Sequence, residues 1–172
     1  MPSAFHVAVA VEMPLRPPVG LRLIGRCIFA LMATTRSATT KWQGSLMDGS
    51  GQVALESSGL GTYDVTWASR TEEPDGRTSP EELIAAAHSS CFSMALSNVL
   101  AKAGHAPERL ETSAEVGFQP GEGITGVHLT VKGSIPGFSA EEFEQAAEDA
   151  KANCPVSKAL TGTTITLDAT LA

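Results

Sequence analysis

From Thr39 onward the apolar and polar positions fall into short, regular blocks. Three stretches, Thr39–Leu46, Gln52–Ser57 and Tyr63–Ser69, are rich in Val, Thr, Trp and Tyr, and Asp48-Gly49-Ser50-Gly51 and Ser58-Gly59 punctuate them. Asp-Gly between such runs is a hairpin signal, so the pattern predicts a three-stranded meander. After the polar loop Glu72–Thr78 comes Ser79-Pro80-Glu81-Glu82. It supplies an N-cap serine, a proline at the first helical position and a glutamate at N3, the signature of a capping box. The helix it opens runs to Gly104, a residue suited to a left-handed stop. From Leu83 to Ala101 it carries no acid, lysine or arginine. A helix apolar nearly all round is expected to be buried on most of its faces. In so small a chain that requires sheets wrapped around it, a second subunit covering it, or both.

Beyond Pro107 the pattern predicts strands Glu111–Gln119 and Gly126–Ser134, joined by Pro120-Gly121-Glu122-Gly123-Ile124. Ser139 and Glu142 then form a second capping box, with Phe138 and Phe143 placed as a hydrophobic staple. Phe143, Ala147, Ala150 and Cys154 recur at i, i+4, i+7 and i+11, which puts Cys154 on the buried stripe. Pro155 interrupts that helix and stands at N1 of a short new one over Val156–Leu160. The chain closes on Ile165, Leu167, Ala169 and Leu171, the alternation of a half-buried strand. The order βββ-α-ββ-α-β predicts an α+β fold with an antiparallel sheet rather than a parallel βαβ sheet.

The 172 residues carry a net charge of −7 with only 12 basic side chains, which are scattered. That argues against nucleic acid as a partner, because phosphate contacts need clustered Lys and Arg. No apolar run approaches the roughly 18 residues of a membrane span, so no membrane partner is expected. The acidity is uneven. Residues 1–31 hold Arg16, Arg22 and Arg26 against Glu12, a net +2, and the rest of the chain therefore carries −9. This first segment contains Pro14, Pro17 and Pro18 and shows no sustained period. Its apolar CIFALMA stretch is short for a signal core and no A-x-A site follows. Residues 1–38 read as an N-terminal extension of unknown role, with Met32 as an alternative start, and residues 39–172 as one domain.

Cys27, Cys91 and Cys154 are too few, and odd in number, for a disulfide scaffold. Cys91 lies mid-helix, where a buried inert thiol is the bland expectation. His88, three residues earlier, shares its helix face and reads as a core histidine, a base or a metal ligand. Cys154 is the N-cap of the short helix, where free N–H groups and the helix dipole lower a thiol's pKa. Cys91 and Cys154 each lie on a buried helical face, and the two can meet in space. Their separation matches neither a CxxC redox motif nor a zinc ribbon.

The stretch from Ser79-Pro80-Glu81-Glu82-Leu83-Ile84 through Ala87-His88-Ser89-Ser90-Cys91-Phe92-Ser93-Met94-Ala95-Leu96-Ser97 resembles the first cysteine motif of the OsmC/Ohr family. These are the osmotically inducible and organic hydroperoxide resistance proteins. Asn153-Cys154-Pro155-Val156-Ser157 resembles the second motif, in the form of the OsmC branch. The resemblance runs from about Thr39 to the C-terminus and leaves residues 1–31, with Cys27, outside it. It implies a cytoplasmic, thiol-dependent peroxidase that acts on organic hydroperoxides without cofactor or metal. Cys91 would be peroxidatic and Cys154 would resolve its sulfenic acid as a disulfide. A dithiol, of the dihydrolipoyl kind, would restore both thiols. The family's arginine falls at Arg70, at the end of the third strand, with Arg77 as the alternative. Its glutamate falls at Glu81. The arginine would favour the thiolate and orient the peroxide, and the glutamate would hold the guanidinium.

Helix geometry adds a constraint. Ten residues of helix separate Glu81 from Cys91 by about 15 Å, too far for one cluster along one helix. The simplest solution is a homodimer with composite sites, in which Glu81 and Arg70 of one subunit approach Cys91 and Cys154 of the other. His88 is then assigned a structural role. Two rival readings use the same residues. One is a metal-binding module built on His88, Cys91 and Cys154, and the other is a non-catalytic carrier of a hydrophobic ligand.

Overall fold

Turn residues divide the first part of the domain as the sequence predicts. A computed structural model describes residues 33–172, of which Arg36–Ala172 belong to one unit. The expectations for residues 1–31, for Cys27 and for Met32 lie outside the described residues. Strands β1 (Thr39–Gln43), β2 (Ser50–Ala54) and β3 (Thr62–Thr66) form an antiparallel meander in sequence order. Gly49 is needed in the first turn: a Cβ there would stand 2.2 Å from the Ser45 carbonyl oxygen.

The third strand stops earlier than expected. At Thr66 the chain turns into a short helix α1 (Trp67–Thr71), so Arg70 lies on a helix rather than at a strand end. The cause is a reciprocal cap. Ser69 N–H donates to Thr66 Oγ1 at 3.0 Å, and Thr66 N–H donates to Ser69 Oγ at 3.1 Å. These local bonds outweigh the β-propensity of the segment.

Helix α2 (Pro80–Lys102) begins where predicted, with Glu82 N–H donating to Ser79 Oγ at 3.2 Å. Only half of the capping box forms, because the Glu82 carboxylate accepts from Thr78 Oγ1 instead. The helix gives way to Gly104 at φ +90°. Within the chain α2 is buried on a single line, Glu81, His88, Phe92, Leu96 and Leu100, and Met94 is 66% exposed. The expected burial on most faces is therefore not met by this chain's own elements. By length and composition α2 is also apolar enough to cross a membrane, although no unbroken apolar run marks it in the sequence. Small polar residues interrupt the run without lowering its mean hydropathy much.

Strands β4 (Arg109–Gln119) and β5 (Gly123–Ser134) pair antiparallel. Helix α3 (Ala140–Asn153) carries the complete Ser139/Glu142 capping box and buries Phe143, Ala147 and Ala150 fully. Helix α4 (Pro155–Ala159) follows, with Cys154 as its N-cap, and β6 (Ile165–Leu171) alternates as predicted. One pairing departs from the antiparallel expectation: β6 runs parallel to β5. The α3–α4 crossover returns the chain to the start of β5, the kind of connection a parallel pair requires. The α+β class stands, with α1 added to the predicted order. The core joins Phe92, Leu96 and Leu100 of α2 to Leu129 and Val131 of β5 and to the buried face of α3.

Candidate active site

Two pairs of residues carry the candidate chemistry, and the fold builds each from two elements. The first pair is ionic. Arg70, in the last turn of α1, donates from Nη2 to Glu81 Oε1 at 2.7 Å, and from Nε to Oε1 and Oε2 at 2.9 and 3.1 Å. Glu81 is 7% exposed and sits in the first turn of α2, where the helix dipole favours a carboxylate. The guanidinium also stacks: its central carbon lies 3.8 Å from the Phe118 ring centroid and 5.9 Å from that of Trp67. Trp67 and Phe118 meet edge to face. Arg70 is thus held on its edge by a charge-assisted pair and on its face by an aromatic ring. Arg77 instead pairs with exposed Asp75 in the loop. Of the two candidate arginines, Arg70 is the one bonded to Glu81.

The second pair is the thiols. Cys91 in mid-α2 is partly exposed, and Cys154 at the α3–α4 junction is fully buried; both are free. Cys91 packs against the core cluster that contains Cys154, and each thiol shifts the ionisation of the other. Burial pushes the Cys91 thiol up; the Val156 N–H opposes this and the contact with Cys154 adds to it. Burial also opposes ionisation of Cys154, but the Ser157 N–H, the Cys91 thiol, the Ser157 hydroxyl and the Val156 N–H together bring it below the ordinary thiol range. No strict capping hydrogen bond reaches the Cys154 sulfur, so the helix end acts on it through the field of nearby N–H groups. Within one chain Cys154 is therefore the more acidic thiol of the pair.

His88 is fully buried, and burial holds its imidazole below the usual pKa and hence neutral. Its Nε2 lies 2.8 Å from Ser157 Oγ. That nitrogen is committed to α4 and not to a shared site with the two thiols, and among the described residues no group of three or more His, Cys, Asp or Glu is placed to hold a metal. The structure thus brings Cys91 to Cys154 and Arg70 to Glu81. It does not bring the two pairs together, since α2 runs unbroken between Glu81 and Cys91, a rise of about 15 Å.

Phe118, Trp67 and Ser157 went unassigned at the level of sequence. Ser157 had a readable signal, being N3 of a helix whose N-cap is Cys154. Trp67 was hidden in an apparent strand. Phe118 reaches Arg70 from β4 and leaves no local trace.

A thiol on a core helix beside a second thiol at a helix junction, with an acid-anchored arginine in an α+β frame, defines a two-cysteine thiol protein. The family model described as OsmC-like protein matches residues 73–168, and the chain belongs to that family. Peroxiredoxin OsmC of Escherichia coli (strain K12) is 39% identical over 140 residues, which cover 80% of this chain and 96% of that protein. Organic hydroperoxide resistance protein OhrA of Bacillus subtilis (strain 168) is 35% identical over 97 residues, covering 54% of this chain and 67% of that protein. Among solved structures, an organic hydroperoxide resistance protein from Elizabethkingia anophelis has a TM-score of 0.59 at 26% identity, covering 83% of this chain and 98% of that one.

Proposed function

We propose that this protein is a thiol peroxidase that reduces organic hydroperoxides, and hydrogen peroxide more weakly. The observation that carries the reading is that the free thiol of Cys91 packs against the core cluster holding Cys154, and each shifts the ionisation of the other. The Cys91 thiolate attacks the outer peroxide oxygen, the O–O bond breaks, and the leaving alkoxide takes a proton to depart as an alcohol. Cys91 is left as a sulfenic acid. The Cys154 thiolate then attacks the Cys91 sulfur and displaces hydroxide, which leaves as water, and a Cys91–Cys154 disulfide remains. A buried neighbour this close keeps sulfur off the irreversible rungs of oxidation. A dithiol reductant returns both residues to thiols.

The same reading makes the protein a homodimer with composite sites. Two observations support it: the Arg70–Glu81 pair stands apart from the thiols of its own chain, and the exposed side of α2 is uncharged from Leu83 to Ala101, with Met94 open on it. Ionisation points the same way. Within one chain Cys154 is the more acidic thiol, whereas peroxide attack needs the Cys91 thiolate. A guanidinium from the partner subunit placed beside Cys91 would reverse that order, since a nearby cation favours the charged form. An apolar groove of about 390 Å³, lined by Trp42, Leu46, Val53, Val65 and Trp67 with Arg70 also on its wall, suits the organic part of a hydroperoxide.

The test is consumption of cumene hydroperoxide and of hydrogen peroxide with dithiothreitol or dihydrolipoamide as reductant. Wild type should consume the organic peroxide faster, and Cys91→Ser should consume neither. Cys154→Ser should complete one turnover and leave Cys91 trappable as a sulfenic acid. Turnover by Cys91→Ser at the wild-type rate would overturn the proposal.

A further inference from the structure

His88 does more than fill space. It is fully buried, one helical turn before Cys91, and its Nε2 is bonded to Ser157 Oγ across the α2–α4 contact at 2.8 Å. Its other ring nitrogen, Nδ1, is buried and has no hydrogen-bond partner among the described residues. That asymmetry selects the tautomer. A buried N–H left unpaired is the rarer and costlier state, so the proton belongs on Nε2 and the bare lone pair on Nδ1. Ser157 Oγ then accepts from His88, and its own proton is free for another acceptor. Ser157 is the third residue of α4 and Cys154 its N-cap. An N-cap and an N3 side chain share the first turn of a helix, and the Ser157 hydroxyl is among the groups that favour the Cys154 thiolate.

We propose that His88 and Ser157 are positioning residues for Cys154: neutral His88 donates from Nε2 to Ser157 Oγ, and this turns the Ser157 hydroxyl proton onto the Cys154 sulfur. The hydrogen bond favours the thiolate over the thiol, in keeping with the lowered pKa of Cys154. Fixing the hydroxyl from behind lets it donate without reorienting.

The consequence, which rests on the peroxidase reading, concerns regeneration. Cys154 has no exposed surface and Cys91 has some, so an incoming dithiol thiolate attacks the Cys91 sulfur. A new bond forms between reductant and Cys91 sulfurs, the Cys91–Cys154 bond breaks, and its electron pair leaves on Cys154. The thiol of lower pKa departs faster, and the Ser157 hydroxyl stabilises it as it leaves. The second thiol of the reductant, as thiolate, then displaces the Cys91 thiolate. The reductant leaves as a disulfide.

The test reads ionisation rather than peroxide turnover, so its failure is distinguishable from failure of the peroxidase reading. With Cys91 and Cys27 both replaced by Ser, Cys154 is the remaining thiol, and the pH dependence of its thiolate ultraviolet absorbance, which needs no reagent to reach the buried sulfur, gives its pKa. Ser157→Ala should raise that pKa by about 1, the loss of one hydrogen bond to a charged group. His88→Leu should raise it less. His88→Gln, which keeps an N–H near the Nε2 position, should restore it. In the unsubstituted protein, nitrogen NMR of the imidazole should show Nε2 protonated and Nδ1 bare at neutral pH. An unchanged Cys154 pKa in Ser157→Ala, or a His88 ring protonated on Nδ1, overturns the proposal. The NMR result decides even where a substituted protein does not fold.

Discussion

The two three-stranded sheets of this domain solve opposite problems. The sheet β4-β5-β6 packs against α2 and α3 and supplies Leu129 and Val131 to a core with Phe92, Leu96, Leu100 and Phe143, all fully buried. The sheet β1-β2-β3 contributes one buried hydrophobic residue, Val53, while every residue of β1 is exposed and Trp42, Tyr63 and Leu46 are open to solvent. A small sheet with no covered apolar face is at best marginal by itself. The first sheet leads into α1 and so presents Arg70, and the second backs the helices that carry the two thiols. This contrast gives the largest expected effect. Phe143→Ala removes a ring that packs over Gly133 and should cost about 3–5 kcal/mol in urea unfolding. Trp42→Ala should cost far less at high protein concentration and should lower the concentration-dependent part of stability. Equal losses at all concentrations would erase the distinction.

The next prediction tests whether the two sheets serve the same site across a dimer. Arg70→Ala and Cys91→Ser should each abolish most peroxide consumption. Unfolded together and refolded at equal amounts, they should regain about a quarter of wild-type activity. Half of the dimers are then mixed, and one of the two sites in each is intact. A site assembled within single chains would give no recovery. Peroxide assays on the mixture, with each variant refolded alone as the control, decide between the two.

Much of this organisation is legible in the sequence, and the exceptions share a cause. Ser139, Glu142 and Phe143 announce α3 because caps and staples are local. Ser79-Pro80 announces α2 in the same way. The stripe Phe143, Ala147, Ala150 and Cys154 is buried as periodicity requires. Arg70 was placed at a strand end because Tyr63 to Ser69 has β-favouring residues, and the Thr66/Ser69 cap that starts α1 is only four residues long. The parallel pairing of β6 escaped because strand direction depends on where a crossover delivers the chain, which alternation does not record. Phe118 on Arg70 and Ser157 on His88 join residues 48 and 69 positions apart. For α2 the sequence reading expected burial on most faces, and a single line is buried. The uncharged surface that raised the expectation is present, and in one chain part of it, including Ala86, Ala87, Ser90, Met94 and Asn98, stays exposed.

The smallest effect lies at the start of α3, in the region that holds rather than presents. The Ser139 N–H donates to Glu142 Oε2 at 2.9 Å, and Glu142 N–H donates to Ser139 Oγ at 3.2 Å. The first of these bonds lowers the pKa of the Glu142 carboxyl below the ordinary 4.5, with further help from the Ser139 side chain. A carboxyl depressed on folding stabilises the native state above its unfolded pKa, and that contribution is lost as pH falls through the folded value. Glu142→Gln should therefore be less stable than wild type at pH 7, by an amount salt reduces, and the gap should narrow as pH drops below 4.5. Ser139→Ala should cost about 1 kcal/mol, and much of that loss should persist in acid, because the Oγ cap to the Glu142 N–H carries no charge of its own. Thermal unfolding of the three proteins from pH 7 to pH 3 separates the two halves of the box. A gap between Glu142→Gln and wild type that stayed constant over that range would mean that the carboxylate charge contributes nothing to the cap.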